Sequence, residues 1–448
     1  MSTNWNYETP REQLLSWSYS LEQPIDLLEL LSKTEMYQGT RFFWRSADLK
    51  ESFLGLGTVL SISETDFAKV SAFKKALTEQ IQLVDDQSSA PILFGGFPFD
   101  VKGSKESFWN SMEAGYFVLP QILFQQLDNQ LTVTLTVKKT AEKLLKELAN
   151  QVEELLSVTN EPAEEDKTSF ENTVSYQELQ LPQWLSMVET AVAEINSEDS
   201  ALQKIVAARQ LAVTASKEFV PAEIVANLAA EQPNTYLFLL EKGEHFFVGT
   251  TPERLLKADA TKFYTASIAG TAPRDKNPNT DKQLGQKLLA DPKNSHEHGL
   301  VVAGIQEQLA ELIEGALELG ERQILKNRDL QHIYLPLAGQ RKASISFLAA
   351  VQKLHPTPAL GGQPKALALD WLEKNEKPGR GLYGAPIGWQ SLATDEGEFA
   401  VAIRSGIFTR KQGLLYAGCG IVAKSVAEEE RQETWNKFQP MLRGIRGK

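Results

Sequence analysis

The spacing of hydrophobic and polar positions divides the first 158 residues into helical and extended stretches. In residues 1–40 leucines recur at helical spacings, and residues 141–158 carry leucine and valine on one helical face. The pattern therefore predicts a helix in each stretch. Between them the chain is rich in β-branched and aromatic residues, which predicts strands. The predicted strands cover residues 41–46, 52–62, 92–97 and 116–137.

The rest of the chain mixes both patterns. Helical periodicity predicts helices at residues 185–196, 282–290, 293–319 and 427–438. Strand-like runs occur at residues 204–215, 236–241, 245–250, 262–267, 344–347, 398–408 and 414–422. Runs of strands interrupted by blocks of helix favour an α+β fold with antiparallel pairing over regular βαβ winding.

An acidic, polar segment at residues 159–172 is the best candidate for a linker. It contains a proline and five carboxylates, which is typical of exposed chain, but a surface loop inside one domain explains it equally well. We therefore predict an N-terminal part, residues 1–170, and a second part, residues 171–448. The two parts are compatible with one large, intertwined domain.

Composition excludes several classes of protein. The net charge of −12 and the absence of a long basic run disfavour binding to nucleic acid or to a membrane surface. The single cysteine, Cys419, allows no intrachain disulfide, and the N-terminus lacks a basic segment followed by an apolar one. No stretch of about 18 apolar residues occurs. We expect a cytoplasmic protein.

A glycine-rich segment at residues 379–384 fits the pattern G-x-G-x-x-G. A dinucleotide-binding loop needs a strand before this pattern and a helix after it, so that phosphate meets a helix N-terminus. Here Lys377 and Pro378 precede it, and Pro386 and Gly388 follow, which resist a helix. The segment predicts a loop whose backbone approaches some ligand closely, and not a dinucleotide site.

Two glutamates are candidate metal ligands. Glu297 starts an i, i+4 series that continues through hydrophobic Val301 and Ile305, so its carboxylate is expected on the core side of a helix, near one end. A core-facing carboxylate must be paired or bind a cation, although a partly exposed glutamate at a helix end explains the sequence equally well. Glu433 lies beyond the acidic first turn of the last helix. Two carboxylates from different helices, with water and a substrate oxygen, suit magnesium.

Two further residues are candidates for proton transfer. Lys204 opens the strand at residues 204–215, and Glu253 lies in a turn after the strand at 245–250. A lysine at a strand end is usually a solvated cap, and a glutamate in a turn is usually exposed. A lysine that points into a dry site instead loses its proton more easily and becomes a usable base.

The order of these segments resembles that of the chorismate-utilising enzymes, which include isochorismate, salicylate, anthranilate and aminodeoxychorismate synthases. The matching segments are 203–209 (QKIVAAR), 251–255 (TPERL), 268–271 (IAGT), 297–298 (EH), 331–332 (QH), 355–362 (HPTPALGG), 380–383 (RGLY), 402–405 (AIRS), 417–421 (AGCGI) and 432–437 (QETWNK). They cover about residues 180–440. The first 170 residues match more weakly, chiefly through FGGF at 94–97, which is similar to a segment of the menaquinone-pathway members.

The resemblance implies a fold and a set of site residues. The fold would be a large antiparallel sandwich of two sheets with helices packed outside, and the site would lie in the core of the C-terminal half. Magnesium would be held by Glu297 and Glu433. The residues implied to hold the two substrate carboxylates are Gly270, Thr271, Tyr383, Arg404 and Gly418, and His332 would lie beside the ring. A dianionic substrate in an acidic protein needs such local cations to offset repulsion.

Two positions discriminate among members of the family. Aminodeoxychorismate synthases carry a lysine nucleophile where this chain has Ala269, and anthranilate synthases generally lack the lysine that corresponds to Lys204. The resemblance therefore implies water as the nucleophile and no amidotransferase subunit. The segment HPTP at 355–358 is similar to the isochorismate synthase group, and the long N-terminal half is closer to the menaquinone branch.

The implied reaction is the isomerisation of chorismate to isochorismate. Lys204 would take a proton from water as it attacks ring carbon C2, and protonated Glu253 would donate to the departing C4 hydroxyl. The alternative within the family is salicylate synthase, which also eliminates pyruvate. A non-catalytic chorismate-binding subunit is a further alternative. Cys419 and Leu335 depart from the residues common in the family, alanine and threonine respectively, and neither changes a charge that this mechanism needs.

Overall fold

The computed structural model describes residues 12–22, 25–85, 88–100, 107–109, 111–128, 130–158 and 172–446, without the side chains of residues 107, 293, 296 and 297. The strands are β1 (Leu14–Leu21), β2 (Arg41–Arg45), β3 (Glu51–Leu56), β4 (Leu60–Ile62), β5 (Ile81–Leu83), β6 (Ile92–Gly96), β7 (Tyr116–Leu119), β8 (Ile122–Leu127), β9 (Gln130–Lys138), β10 (Val174–Glu178), β11 (Lys204–Ala215), β12 (Tyr236–Lys242), β13 (His245–Thr251), β14 (Arg254–Ala258), β15 (Lys262–Pro273), β16 (Ile313–Leu319), β17 (Gln323–Lys326), β18 (Leu330–Arg341), β19 (Gly362–Gln363), β20 (Pro386–Ser391), β21 (Gly397–Val401), β22 (Ser405–Thr409) and β23 (Gln412–Ile421).

The helices surround these strands. They are α1 (Leu27–Ser32), α2 (Phe67–Gln80), α3 (Leu144–Val158), α4 (Leu181–Ile195), α5 (Pro221–Glu231), α6 (Pro278–Ala290), α7 (Pro292–Ala310), α8 (Phe347–Leu354), α9 (Lys365–Asn375) and α10 (Ala427–Arg446). None of the described helices combines the length and the apolar character that a membrane crossing requires.

The strands form two large, almost entirely antiparallel sheets. A 13-stranded sheet has the order β10-β11-β23-β22-β13-β12-β2-β3-β8-β9-β1-β5, with β19 paired to β11. A 10-stranded sheet has the order β16-β18-β15-β14-β21-β20-β6-β7-β4, with β17 paired to β18. Both sheets combine strands from before and after residue 170, so the two predicted parts share one framework, and the division between them stays a prediction. The predicted linker at residues 159–172 lies outside the described residues except for its last residue, Asn172.

The two sheets pack face to face, which confirms the predicted α+β sandwich. Phe42 on β2 and Phe94 on β6 belong to different sheets, and their rings stack with centroids 4.4 Å apart. The helices cover the outer faces, with α5 and α10 against the larger sheet and α7 and α8 against the smaller one. Each large hydrophobic side chain buried in this way contributes about 1.5–3 kcal/mol to folding.

Several predicted elements were wrong. Residues 14–21, predicted as helix, form strand β1, because β9 pairs with every residue from Leu14 to Leu21. The predicted strand at 344–347 is instead the turn that leads into α8, which begins at Phe347 and is capped by the Ser346 hydroxyl. The helix predicted at 293–319 ends at Ala310 and continues as strand β16. In each case a short hydrophobic run fits both periods, and tertiary pairing decides between them.

Candidate active site

One cavity of about 1290 Å³ opens between strands of both sheets. The larger sheet contributes the start of β11 and the end of β23, and the smaller sheet contributes β15 and β18. Nine of the residues singled out in the sequence line it: Lys204, Glu253, Gly270, Thr271, His332, Tyr383, Arg404, Gly418 and Glu433. The structure therefore brings together side chains that lie up to 229 residues apart in the sequence, from Lys204 to Glu433.

Lys204 is the first residue of β11 and is only 2% exposed, so it is not a solvated strand cap. It pairs with Gln363 of β19, and Gly362 lies beside it with a φ of +136°. A Cβ on Gly362 would lie 2.1 Å from the Lys204 carbonyl oxygen. Glycine at this position therefore lets the backbone approach the lysine closely enough to hold it at the cavity wall.

Glu253 occupies the turn between β13 and β14. Its backbone is fixed by two hydrogen bonds: its N–H donates to Thr251 Oγ1 at 3.2 Å, and its carbonyl accepts from the Val401 N–H at 3.0 Å. Burial raises the pKa of the Glu253 carboxyl to about 7, although Lys204, Arg404 and Lys437 act in the opposite direction. A carboxyl of this kind carries its proton in a large fraction of molecules near neutral pH.

Three basic side chains face this carboxyl. Lys204, Arg404 and Lys437 all line the cavity and all interact electrostatically with Glu253. Arg404 and Lys437 place positive charge in this part of a chain whose net charge is −12. Such a region attracts an anionic ligand that the rest of the molecule would repel.

Arg404 lies in the connection between β21 and β22, where the sequence predicted a single continuous strand at 398–408. Its φ of +50° is unusual for a residue other than glycine, and it redirects the chain. The Arg404 carbonyl accepts a hydrogen bond from the Thr250 N–H at 3.0 Å. The surrounding sheet thus holds a strained residue so that its side chain lines the cavity, as is common at functional sites.

His332 and Tyr383 also line the cavity. The ring of Tyr383 stacks on that of Tyr416, with centroids 5.2 Å apart. His332 Nδ1 lies 3.1 Å from Thr271 Oγ1, and within the described chain its Nε2 has no hydrogen-bond partner. Burial and the nearby Arg404 and Lys437 lower the pKa of His332 to about 3, so the imidazole is neutral at physiological pH.

The last helix, α10, contributes Glu430, Glu433 and Lys437 to the cavity wall, and of these the sequence indicated only Glu433. Lys437 Nζ lies 2.7 Å from Glu433 Oε1 and donates to the Gly418 carbonyl at 2.8 Å. Lys437 is the main cause of the lowered pKa of Glu433. Glu430, one turn earlier, also lines the cavity, and burial raises the pKa of its carboxyl. The i, i+3 and i, i+4 spacings within residues 430–437 are the sequence signal that could have indicated this shared face.

Glu297 lies on α7, but its side chain is outside the described residues. The hydrophobic series that it starts packs as predicted, because Val301 and Ile305 are almost completely buried. Asn294, one turn before Glu297, lines the cavity, and its side-chain amide donates to Asp291 Oδ2 at 2.7 Å. The N-terminal end of α7 therefore borders the cavity.

The chemistry of the donors fits magnesium. Glu430 and Glu433 supply carboxylate oxygens one helical turn apart, and the charge of Glu433 contributes to raising the pKa of Glu430. A divalent cation would relieve this repulsion. The described residues contain no group of three or more His, Cys, Asp or Glu side chains that could hold an ion alone. Magnesium commonly takes one or two carboxylates and completes its shell with water and substrate oxygens.

The segment at residues 379–384 is no dinucleotide site, because it follows α9 and precedes β20. A Cβ on Gly381, which has a φ of +55°, would lie 2.1 Å from the ring of Trp109. The glycine therefore permits close packing on an aromatic side chain rather than on a phosphate. Tyr383, two residues later, is the part of this segment that reaches the cavity.

Comparisons with known proteins agree with this geometry. The family model described as chorismate binding enzyme matches residues 2–446. Isochorismate synthase MenF of Bacillus subtilis is 32% identical over 97% of this chain and 94% of its own length. The salicylate biosynthesis isochorismate synthase of Pseudomonas aeruginosa is 30% identical over 97% of this chain and 90% of its own length.

The fold has a close counterpart among solved structures. The menaquinone-specific isochorismate synthase MenF of Escherichia coli superposes with a TM-score of 0.79, covering 96% of this chain and 95% of that one. The two sequences are 24% identical, so this likeness concerns the fold.

Proposed function

The chain belongs to the chorismate binding enzyme family, and we propose that it isomerises chorismate to isochorismate in the cavity described above. One observation carries the proposal: a buried lysine at a strand end and a buried glutamic acid with a pKa of about 7 line the same cavity. An isomerisation that adds water at one carbon and removes hydroxyl at another needs such a base and such an acid. The relatives named isochorismate synthase span nearly the whole chain.

In the proposed reaction Lys204 is the base. It accepts a proton from water as the water oxygen bonds to ring carbon C2, and the ring double bonds shift. The bond from C4 to its hydroxyl then breaks, and Glu253 donates a proton so that the hydroxyl leaves as water. One water enters and one leaves, so the reaction should be reversible. A glutamic acid whose pKa is raised by burial is suited to donate this proton near neutral pH.

The substrate is held through its two carboxylates. We propose that Arg404 and Tyr383 bind one of them, with the backbone of Gly418 and of Gly270–Thr271 nearby. Arg404 is suited to this role because a guanidinium donates two parallel hydrogen bonds to a carboxylate. Neutral His332 would lie beside the ring, and among the described residues its Nε2 has no hydrogen-bond partner.

Magnesium is the proposed cofactor, held by Glu433 and Glu297, with Glu430 one helical turn before Glu433. When bound, it would neutralise a substrate carboxylate and orient the ring. Lys437 keeps Glu433 ionised by lowering its pKa, and an ionised carboxylate is the form that binds a cation.

We also propose that the product serves menaquinone biosynthesis. The support is the length match to the MenF relative, of which the chain covers 94%. The Pseudomonas relative, whose name assigns it to salicylate biosynthesis, is almost as similar.

The activity is tested by identifying the product. Purified protein is incubated with chorismate and magnesium without ammonium, and the mixture is resolved by chromatography. The proposal expects isochorismate and chorismate at a stable ratio. Salicylate with pyruvate would assign the chain to the salicylate synthases, and unchanged chorismate would leave only a binding role.

A further inference from the structure

The edge of β11 that follows Lys204 has a gap in its strand pairing. On this edge β19 pairs with Lys204 and Ile205, and β10 begins to pair only at Leu211. No described strand pairs with residues 206–210 on that side. An unpaired stretch of buried backbone is costly unless other groups satisfy its N–H and C=O groups.

A buried ion pair fills this gap. Arg380 Nη2 donates to the Val206 carbonyl at 2.5 Å, and Glu376 Oε2 accepts from the Ala208 N–H at 2.8 Å. The two side chains bind each other through two hydrogen bonds of 2.5 and 2.8 Å. The pair therefore satisfies one carbonyl and one amide of β11, as a neighbouring strand would.

The same arginine joins two other segments of the cavity wall. Its Nη1 donates to the Leu360 carbonyl at 2.9 Å, and Leu360 lines the cavity. Its own carbonyl accepts from the Tyr383 N–H at 3.0 Å. The guanidinium lies 4.1 Å from the centre of the Phe99 ring and is only 1% exposed, so its geometry is fixed on all sides.

We infer that Glu376 and Arg380 are a positioning pair, which holds the strand end bearing Lys204 and the turn bearing Tyr383 in one fixed relation. Neither side chain lines the cavity, so the pair acts through the residues that do. A base displaced by about 1 Å can cost about a hundredfold in rate. The expected effect of this pair on the reaction rate rests on the proposed function. Its expected effect on the position of β11 does not.

The chain offers a matched control in Arg41 and Glu241. These side chains are 2% and 1% exposed, and two hydrogen bonds of 2.7 and 3.0 Å join them. Glu241 also accepts from a backbone amide, that of Gly39, at 2.6 Å. Neither residue lines the cavity. Loss of this pair should lower stability without disturbing β11.

The test compares Glu376→Gln with Glu241→Gln in the full-length protein. Hydrogen exchange of the peptide covering residues 204–210 should be faster in Glu376→Gln by at least about tenfold and unchanged in Glu241→Gln. With chorismate and magnesium, kcat should fall at least about tenfold in Glu376→Gln and stay within about twofold in Glu241→Gln. If Glu376→Gln does not fold, Arg380→Lys replaces it, because one ammonium cannot reach both the Val206 and Leu360 carbonyls.

The two readouts separate the inference from the proposed function. If wild-type protein makes no isochorismate, the proposed function fails, and hydrogen exchange alone decides the inference. Wild-type exchange rates over residues 204–210 in the Glu376→Gln variant would overturn it. Equal losses of kcat in both variants would also overturn it, because they would show a general effect on stability.

Discussion

Gly362 and Lys204 are in contact through their backbones, with no room for a side chain between them. A Cβ at position 362 would lie 2.1 Å from the Lys204 carbonyl oxygen and 2.8 Å from the Ala368 Cβ. Two of the segments that resemble the chorismate-utilising family, 203–209 and 355–362, meet at this contact. The absence of a side chain at Gly362 therefore lets the loop at residues 355–362 pack against β11, the strand that carries the proposed base.

This contact predicts the effect of Gly362→Ala. The variant should lose roughly 3 kcal/mol or more of unfolding free energy, because the new methyl group meets backbone and φ is +136°. Its kcat should fall at least about tenfold, because Lys204 must shift. Denaturant unfolding and initial rates with chorismate measure the two effects.

Gly243→Ala is the matched control for this prediction. Gly243 also has a positive φ, +59°, but a Cβ there would meet nothing within 4 Å. It should lose only about 1–2 kcal/mol, the cost of the left-handed conformation, and keep its kcat. Equal losses in the two variants would contradict the account, since they would assign the whole effect to backbone conformation.

The rate should depend on pH through Glu253. The proposed acid works only when protonated, and its pKa is raised to about 7. The value of kcat/KM, which reports the free enzyme, should therefore fall as pH rises above about 7, approaching tenfold per pH unit. His332 does not contribute, because its pKa is lowered to about 3. A profile that stays flat from pH 6 to about 9 would exclude Glu253 as the acid.

Burial of Glu253 should also cost stability. Its pKa in the folded chain, about 7, is above the ordinary value of 4.5, so between these values the folded state binds a proton that the unfolded state does not. Stability from this group is present below pH 4.5 and is lost as pH rises through 7. Glu253→Gln avoids the loss, and at pH 8 it should be more stable than wild type by up to about 3 kcal/mol.

Urea unfolding of both proteins at pH 5 and at pH 8 measures this difference. The advantage of Glu253→Gln should be about 3 kcal/mol at pH 8 and should fall below about 1 kcal/mol at pH 5. The same variant should be at least about a hundredfold slower with chorismate. A stability difference that is independent of pH would show that burial does not oppose ionisation of the Glu253 carboxyl. More stability with less activity is expected of a residue kept for function.

Glu433 should be needed for magnesium binding. Glu433→Gln removes one carboxylate charge from the proposed site and should weaken magnesium binding at least about tenfold, measured by titration calorimetry without substrate. Glu429→Gln is the control, because Glu429 lies on the same helix, is exposed and does not line the cavity. Unchanged magnesium affinity in Glu433→Gln would remove this residue from the proposed site.

The sequence predicted some elements well because their hydrophobic patterns fit only one type of secondary structure. The strand at residues 204–215 has the bounds of β11, since β-branched and small hydrophobic residues follow each other without a competing helical period. The strand Leu330–Arg341 was not predicted, because Pro336 and Gly339 interrupt it. In the structure those two residues are tolerated, as β15 pairs along its whole length. Pairing between distant segments is not visible in local patterns.

The candidate site was predicted in its residues but not in its arrangement. Local patterns alone favoured ordinary surface positions for Lys204 and Glu253 over roles in proton transfer, and the resemblance to a family supplied their proposed roles. The positions of Lys437 and Glu430 in the wall required the fold. So did the Glu376–Arg380 pair, because its contacts with β11 join residues about 170 positions apart in the sequence.

In the reaction that we propose, water adds to chorismate while the original hydroxyl leaves. The most direct measurement is a single turnover with magnesium in water enriched in heavy oxygen, followed by mass analysis of the separated products, with Lys204→Ala as the inactive control. We expect the wild-type protein to form isochorismate that carries one heavy oxygen. The Lys204→Ala variant should form no isochorismate within the time of the wild-type turnover. Unlabelled isochorismate would contradict the proposed reaction, because the hydroxyl would then have moved within the molecule without attack by water.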